Sequence, residues 1–571
     1  MKAMNNMKNS FSVAAAAERL GVSGATVRNW LRLGRLKGLS DRDVSSMAEQ
    51  IASGTGALRS RRNKTALKSA REYPGYIKGQ RELASLFSGA FSENEIRIIL
   101  TEAALRLFSD GTSLTARFLS GELSIGPDSL ITDLLGRGRP TKKTAPILSA
   151  EWRPDKSQDV LGYIYMSLLP INKRRLRGAY YTPPEVVERT CDLVGDGTVL
   201  DPCCGSGNFI IALAEKRQSP LGLRAVDIDP VAVSLARINL FVRYPFLSEE
   251  TLRENIVCGS FFDIDDKFDA IAGNPPWGGN PEVSGQFLLH ALDCLNKGGT
   301  VAFVLPQALL SAKKHSDVRS RLLGSAQLTA ANYIGNCFKD VVCPTVILAA
   351  EKGGSGIKGC RVNSRFTINT DRPYSERCLS LNVTDGEYER LSRMSRINNA
   401  VYLKDNARFA LGIVTGGNAA ALEAAPADGA EPVLRGSDIS PFAIHDPSSY
   451  LVFNPAAFQQ CAPEEVYRAS EKIVYRFVGR RPVFAVDRLG RLTLNSCNII
   501  IPHIDGLTID YITAVLNSEC VGFFLEKSYD AAKWLRWHLE EIPIPHISLE
   551  RQREILESEN REELISALYF G

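Results

Sequence analysis

The 571-residue sequence has no apolar run approaching the roughly 18 residues that a membrane-crossing helix needs, and its first ten residues lack the long apolar stretch of a secretory leader. A cytoplasmic chain with no membrane partner is the expectation. Cysteine is sparse: none of the 12 sits in a Cys-x-x-Cys pair, and the six histidines do not join them in a metal-ligand pattern. Free thiols and no bound metal are expected. A cluster of carboxylates beside a lysine, as a metal-dependent nuclease would use, is missing as well. What remains is ordinary globular composition, 44% hydrophobic and 23% charged, in a chain long enough for roughly three or four domains.

Charge is unevenly spread. The net value is +4, yet residues 1–80 carry 15 Lys/Arg against 5 Asp/Glu, a local +10 that leaves −6 for the rest. A basic end is either a polyanion contact or a solvated arm. Within it, residues 12–23 and 25–31 read as two short helices around Gly21-Val22-Ser23, with Ser23 as N-cap of the second. Ala16, Leu20, Val22, Val27 and Leu31 can form a shared core, leaving Thr26, Arg28, Asn29 and Arg32 outside. This helix-turn-helix pattern over residues 1–50 resembles the N-terminal part of MerR-type and excisionase-type DNA-binding modules, and the resemblance implies that those four polar residues face a groove of DNA.

Residues 51–150 read as a basic and helical spacer. Its first part, residues 59–71, is basic, and Leu83, Leu86, Phe87, Phe91, Ile96, Ile99, Ala103 and Leu107 recur at amphipathic-helix spacing. Residues 136–143, Gly-Arg-Gly-Arg-Pro-Thr-Lys-Lys, then punctuate the chain. Over residues 151–390 the style changes to alternating strands and helices: strands near 198–200, 225–226, 268–272 and 300–305, with helices at 209–216 and up to 239. Repeated βα units predict an α/β, doubly wound sheet with its site at the strand ends.

The most chemically informative segment is Asn274-Pro275-Pro276-Trp277, directly after the apolar run of residues 268–273. An amino group conjugated to a flat ring, as on adenine, shares its lone pair with the ring and is a poor nucleophile. The Asn274 side-chain oxygen and the Pro275 carbonyl could accept its two N–H bonds and draw the nitrogen toward a tetrahedral geometry. Pro275 and Pro276 stiffen the loop that aims those acceptors, and Trp277 could stack on the ring being modified. The same four residues also describe an ordinary proline-rich turn after a strand.

Asp201-Pro202-Cys203-Cys204-Gly205-Ser206-Gly207-Asn208-Phe209 follows an earlier strand, and its glycines allow close approach of a ligand to the backbone. Asp227, ending the next strand 26 residues after Asp201, stands where a ribose diol would be held. Dinucleotide binding competes with this reading, but Ile210 occupies the third glycine's place, so S-adenosyl-L-methionine fits better as the cofactor.

Taken together, Gly178-Ala179-Tyr180-Tyr181-Thr182-Pro183, the Asp201 to Phe209 motif and Asn274-Pro275-Pro276-Trp277 stand in the order seen in gamma-type N6-adenine DNA methyltransferases, the TaqI-like group, which includes type II and IIG modification enzymes. Asp159-Val160-Leu161-Gly162-Tyr163-Ile164-Tyr165, Lys297-Gly298-Gly299 before a strand, and Phe338 through Leu348 add to the likeness, which covers about residues 151–352. The resemblance implies a Rossmann-like methyltransferase domain. It also implies that Thr182 lies near the methionine end of the cofactor, that Gly205 and Gly207 line the loop beside it, that Asp227 binds the ribose, and that Phe261 contacts the cofactor adenine. Ser260 stands where the family has an acidic acceptor for the adenine amino group, with Asp263 as an alternative. Phe338 matches the aromatic that stacks on the extruded base, opposite Trp277.

Residues 391–571 lose the βα rhythm and look like the mixed α+β target recognition domain that follows the catalytic domain in such enzymes, with Arg476, Arg480 and Arg481 as candidates for phosphate or guanine contacts. The expected activity is methyl transfer to adenine N6 in double-stranded DNA, by a monomer, as a solitary methylase or beside a cognate restriction endonuclease. Two rivals stay open: methylation of RNA adenine or protein glutamine, and a DNA-binding regulator on a decayed methyltransferase scaffold.

Overall fold

The computed structural model describes residues 11–20, 27–28, 30–31, 36–53, 91–154, 159–169, 181–277, 283–338, 343–372, 378–417, 421–529 and 533–571. Two units emerge, one of residues Lys64–Asp385 and one that groups Met1–Asn63 with Gly386–Gly571.

In the first unit the strands are β1 Val199–Asp201, β2 Leu223–Asp227, β3 Ile256–Cys258, β4 Phe268–Gly273, β5 Leu295–Pro306, β6 Ala326–Gly335, β7 Thr345–Lys352, β8 Arg361–Val362 and β9 Phe366–Thr367. They form one sheet in the order β3-β2-β1-β4-β5-β7-β6-β8-β9. The first five run parallel, and β7 lies antiparallel between β5 and β6. Helices cover both faces, so the central strands are apolar almost throughout: in β4 only Asp269 is exposed. Chain order reverses between β1 and β4. Their neighbouring C-terminal ends therefore open the crevice where a doubly wound sheet receives its ligand.

The four strands expected from sequence are present, and β3 was not foreseen. The expected boundary at residue 150 does not coincide with a break in packing. Leu100 and Leu134 share one core with Val160, Leu213, Leu235 and Ala272 of the sheet region. The helix Glu93–Leu105, opened by a Ser92 capping box, is buried on most sides. Its Glu102 carboxylate, fully buried, pairs with Arg106 at 2.9 Å and accepts from the Thr115 amide at 2.8 Å. From residue 93 the chain is thus an integral layer of this unit rather than a spacer. Residues 59–71, Leu83, Leu86 and Phe87 lie outside the described residues.

The other unit holds a four-stranded antiparallel sheet, Ala407–Ala410, Cys497–Pro502, Lys472–Arg476 and Phe484–Asp487, with the helices Ile509–Asn517, Glu519–Tyr529, Leu549–Glu557 and Arg561–Phe570. This is the mixed α+β character expected. Lys472 and Asp487 form a fully buried ion pair at 2.6 Å across adjacent strands of that sheet. At the basic end, the helices Val13–Leu20 and Asp41–Ser53 share a small core with Val27, Leu36 and Trp30, the last only 2% exposed. Trp30 and the Asp41–Ser53 helix complete a core for which the sequence had offered only small aliphatics. Among the described residues no helix is long and apolar enough to cross a membrane.

Candidate active site

The loop after β1 takes its shape from two glycines in left-handed conformations, Gly205 at φ 53° and Gly207 at φ 99°. A Cβ on Gly207 would lie 3.3 Å from Ala236 Cα on the helix Pro230–Arg243, so the loop can approach that helix only because glycine stands there. Asp227 at the end of β2 holds the loop from the side: its carboxylate accepts from the Gly205 amide at 2.9 Å and from the Asp229 amide at 2.9 Å. Asp229 in turn caps the next helix, which starts with Pro230, and accepts from the Tyr165 hydroxyl at 2.6 Å.

Asp201 is buried. One oxygen accepts from the Cys203 amide at 3.2 Å, and Oδ2 is enclosed with no hydrogen-bond partner. Burial, reinforced by the negative charge of Asp227, pushes its carboxyl well above the usual range. The neighbouring Cys203 and Cys204 thiols are pushed up by the same burial and charges, which keeps them protonated and unsuited to nucleophilic attack.

The end of β4 comes close to β1 because residue 273 is glycine; a Cβ there would sit 2.9 Å from Asp201 Oδ1. Asn274 follows at once. Its Nδ2 donates to the buried Thr182 Oγ1 at 3.0 Å, while its Oδ1 is buried with no partner. The amide is therefore held by one end and offers an unused acceptor at the other. Thr182, assigned above to the methionine end of the cofactor, positions Asn274 directly.

These loops surround a cavity of 480 Å³ whose lining includes Thr182, Asp227, Ser260, Asn274 and Pro276. Two enclosed oxygens of residues lining it lack partners, Asn208 Oδ1 and Asn274 Oδ1. Both are acceptors, so the polar part of the site calls for donors. Its apolar part is supplied by Ile228 and Phe262, which are 70% and 43% exposed and line the cavity. Neither was singled out from sequence, although each directly follows a residue that was.

Phe261 reaches the cavity wall but is only 2% exposed, with its ring packed on Phe287 at 5.1 Å and His290 at 4.6 Å. It is chiefly a core residue, and Phe262 presents the open ring. Ser260 accepts from the Phe262 amide at 3.2 Å, keeping one lone pair and its proton for a ligand. Asp263 is exposed and does not line the cavity.

Trp277 and Phe338 require a correction. Their rings touch edge to face, centroids 4.9 Å apart at 86°, and the Trp277 Nε1 donates to the Val304 carbonyl at 3.3 Å. A base held between two ring faces needs about 7 Å, twice an ordinary contact distance. The two aromatics are together, but not as an open clamp.

Of the arginines proposed to read DNA, Arg476 is committed elsewhere: Nε and Nη2 donate to the carbonyls of Gly436 at 2.8 Å and Ile439 at 2.6 Å. Its role is to fix the turn at 436–439. Arg480, 85% exposed, pairs with Glu526 at 2.9 Å, and Arg481 pairs with Glu519 at 2.7 Å. Arg28 is exposed. Thr26, Asn29 and Arg32 lie outside the described residues, as does Val22. Among the described residues no group of His, Cys, Asp or Glu could hold a metal, and all 12 cysteines are free.

With this geometry in place, two family models match: N-6 DNA Methylase over residues 156–283 and the TaqI-like C-terminal specificity domain over residues 431–544. Residues 156–283 therefore resemble an N-6 DNA methylase and residues 431–544 a TaqI-like specificity domain. Among curated relatives, the type II methyltransferase M.VspI of Vibrio sp. (strain 343) is 28% identical over 52% of this chain and 77% of its own length. The type II methyltransferase M.TthHB8I of Thermus thermophilus is 27% identical over 34% of this chain, which spans about half of that relative, 49%. Among solved structures, the type IIL restriction-modification enzyme MmeI in complex with DNA aligns over 98% of this chain and 96% of its own, at TM-score 0.51 and 11% identity, a likeness of fold. The first match spans both the Asp201 and the Asn274 loops.

Proposed function

We propose that the chain transfers a methyl group from S-adenosyl-L-methionine to N6 of an adenine extruded from double-stranded DNA, as the modification activity of a restriction-modification system. The observation that carries this reading is Asn274: a half-buried amide fixed by Thr182, its enclosed carbonyl oxygen unpartnered, on a residue that lines the cavity. Such an acceptor answers an amino group.

The cavity fits the cofactor in size and in chemistry. A volume of 480 Å³ lies within the usual range for small-molecule sites. Asn208 Oδ1, an enclosed acceptor, suits the methionine ammonium; Asp227 suits the ribose hydroxyls; Ile228 and Phe262 flank space for a purine. When bound, the cofactor supplies an electrophilic methyl group.

The protein's own residues do the rest. Asn274 Oδ1 and the Pro275 carbonyl accept the two N–H bonds of the target amine, so its lone pair turns out of conjugation and toward the methyl carbon. Pro275 and Pro276 restrict the loop, lowering the cost of ordering those acceptors. Trp277 and Phe338 separate to admit the base, exchanging their mutual edge contact for contacts with it. After attack the nitrogen carries an extra proton, which leaves to water, so no side chain of shifted pKa has to act as base beforehand.

The specificity domain supports DNA over RNA or protein glutamine as substrate, because one extruded base carries no flanking sequence and a second surface must read it. The basic end adds non-specific attraction to phosphates, and Arg28 is its described candidate contact. A cognate restriction endonuclease and a cytoplasmic setting belong to the same reading.

Incubating the full chain with duplex DNA and methyl-labelled cofactor, followed by mass spectrometry of the released nucleosides, tests it. N6-methyl-2′-deoxyadenosine is expected. A labelled cytosine, or cofactor binding with no transfer, would overturn it, the latter in favour of a regulator on a methyltransferase scaffold.

A further inference from the structure

Beside the cavity, a buried polar cluster centred on Asp159 is not used by the chemistry above. Asp159 caps the helix Val160–Leu168 and is buried. Its carboxylate accepts from three donors: the Gly162 amide at 2.8 Å, Asn239 Nδ2 at 2.7 Å and the Ser206 hydroxyl. Asn239 Nδ2 also donates to the Ser206 carbonyl at 3.0 Å. Ser206 is thereby gripped through its side chain by Asp159 and through its main chain by Asn239. Gly162 must be glycine for this to exist, since a Cβ there would overlap the Ser206 hydroxyl and the Asp159 carboxylate.

The position of Ser206 makes the grip consequential. It stands between Gly205 and Gly207, both in left-handed conformations that only glycine adopts without strain. A loop of two permissive residues around one gripped residue would sample many shapes if released, and ordering it again would count against ligand binding. Asp227 secures only the Gly205 end.

We propose that Asp159 is a positioning residue for the cofactor: with Asn239 it presets the Gly205–Ser206–Gly207 loop, and it acts on affinity through Ser206 without touching the ligand. This rests on the reading of the cavity as the S-adenosyl-L-methionine site. The helix Val160–Leu168 then braces both cofactor loops, one through Asp159 and the other through the Tyr165 bond to Asp229.

Calorimetric titration of the full chain with S-adenosyl-L-methionine tests it, in wild type, Asp159→Asn, Ser206→Ala and the double variant. Each single variant is expected to weaken binding about tenfold, the scale of one lost immobilisation, with full stoichiometry and the loss in turnover falling on KM far more than on kcat. The double variant is expected to be no weaker than the singles, because both remove one contact. Unchanged Kd in both single variants, losses that multiply in the double, or reduced stoichiometry at unchanged Kd would overturn the proposal; the last marks a purely structural residue. Ser206→Ala, a small change in a half-buried loop, keeps the test open should Asp159→Asn fold poorly. Wild-type chain that binds cofactor but leaves adenine unmodified would sink the adenine reading and leave this one standing, whereas variants that bind normally beside an active wild type would do the reverse.

Discussion

Asn274 and Arg476 are both polar residues at strand ends, chosen from sequence for function, and they end up in opposite situations. Asn274 has one end tied to Thr182 and the other enclosed without a partner. Arg476 spends two of its donors on the carbonyls of Gly436 and Ile439. A buried polar atom left unpaired costs the folded protein about 1–3 kcal/mol, so its persistence points to a partner that arrives later. A paired one already has its explanation. For this pair the unmet hydrogen bond, rather than residue type, marks the difference between function and architecture.

Substitutions can break that contrast. The largest effect is expected from Asn274→Ala: methyl transfer falls by about 10²–10³-fold while cofactor affinity in calorimetry is unchanged, because the lost acceptor serves the reacting amine alone. Next comes Thr182→Val, which leaves the Asn274 amide free to turn; kcat is expected to drop about 10- to 100-fold, with Thr182→Ser recovering most of it. In the other unit Arg476→Ala should cost about 2 kcal/mol in urea unfolding. Arg480→Ala, removing an exposed ion pair, should change stability by less than about 0.5 kcal/mol. An Arg476 variant of full stability would mean that its carbonyl contacts are incidental and would return it to the DNA-contact candidates.

Asp201 sharpens the comparison through pH. Burial raises its carboxyl above that of the unfolded chain, so the penalty on the fold is full above the raised value and is relieved as pH falls from there toward the unfolded value. Asp201→Asn should therefore raise the stability of the cofactor-free chain by about 1 kcal/mol near neutral pH. That gain should shrink toward zero as pH falls to about 4, the carboxylate's unfolded value. It should come with weaker cofactor binding. A destabilised variant at neutral pH would show that Asp201 is structural.

The parallel sheet and both loops were legible because they rest on local signals: apolar runs with glycine and proline at their ends, repeated at βα spacing. Asn274, Asp201 and Asp227 follow directly from those strand ends. The fate of Arg476 was not legible, since it depends on carbonyls some forty residues away that only tertiary folding brings near. Asp159 was visible only as part of a motif, its partners Ser206 and Asn239 being equally remote. The helical layer from residue 93 looked like a spacer because its charged members, Glu102 and Arg106, satisfy each other inside the core. Trp277 and Phe338 meet edge to face rather than as the two sides of a clamp, and the ring angle between them is a packing outcome that no spacing encodes.

The central claim is that the Asn274 loop methylates adenine, and base-resolved sequencing of DNA from cells expressing the wild-type chain or Asn274→Ala tests it most directly. N6-methyladenine in one fixed sequence context for the wild type, and none for the variant, is the predicted result. The same modified sites in both, or modification on cytosine alone, would contradict it.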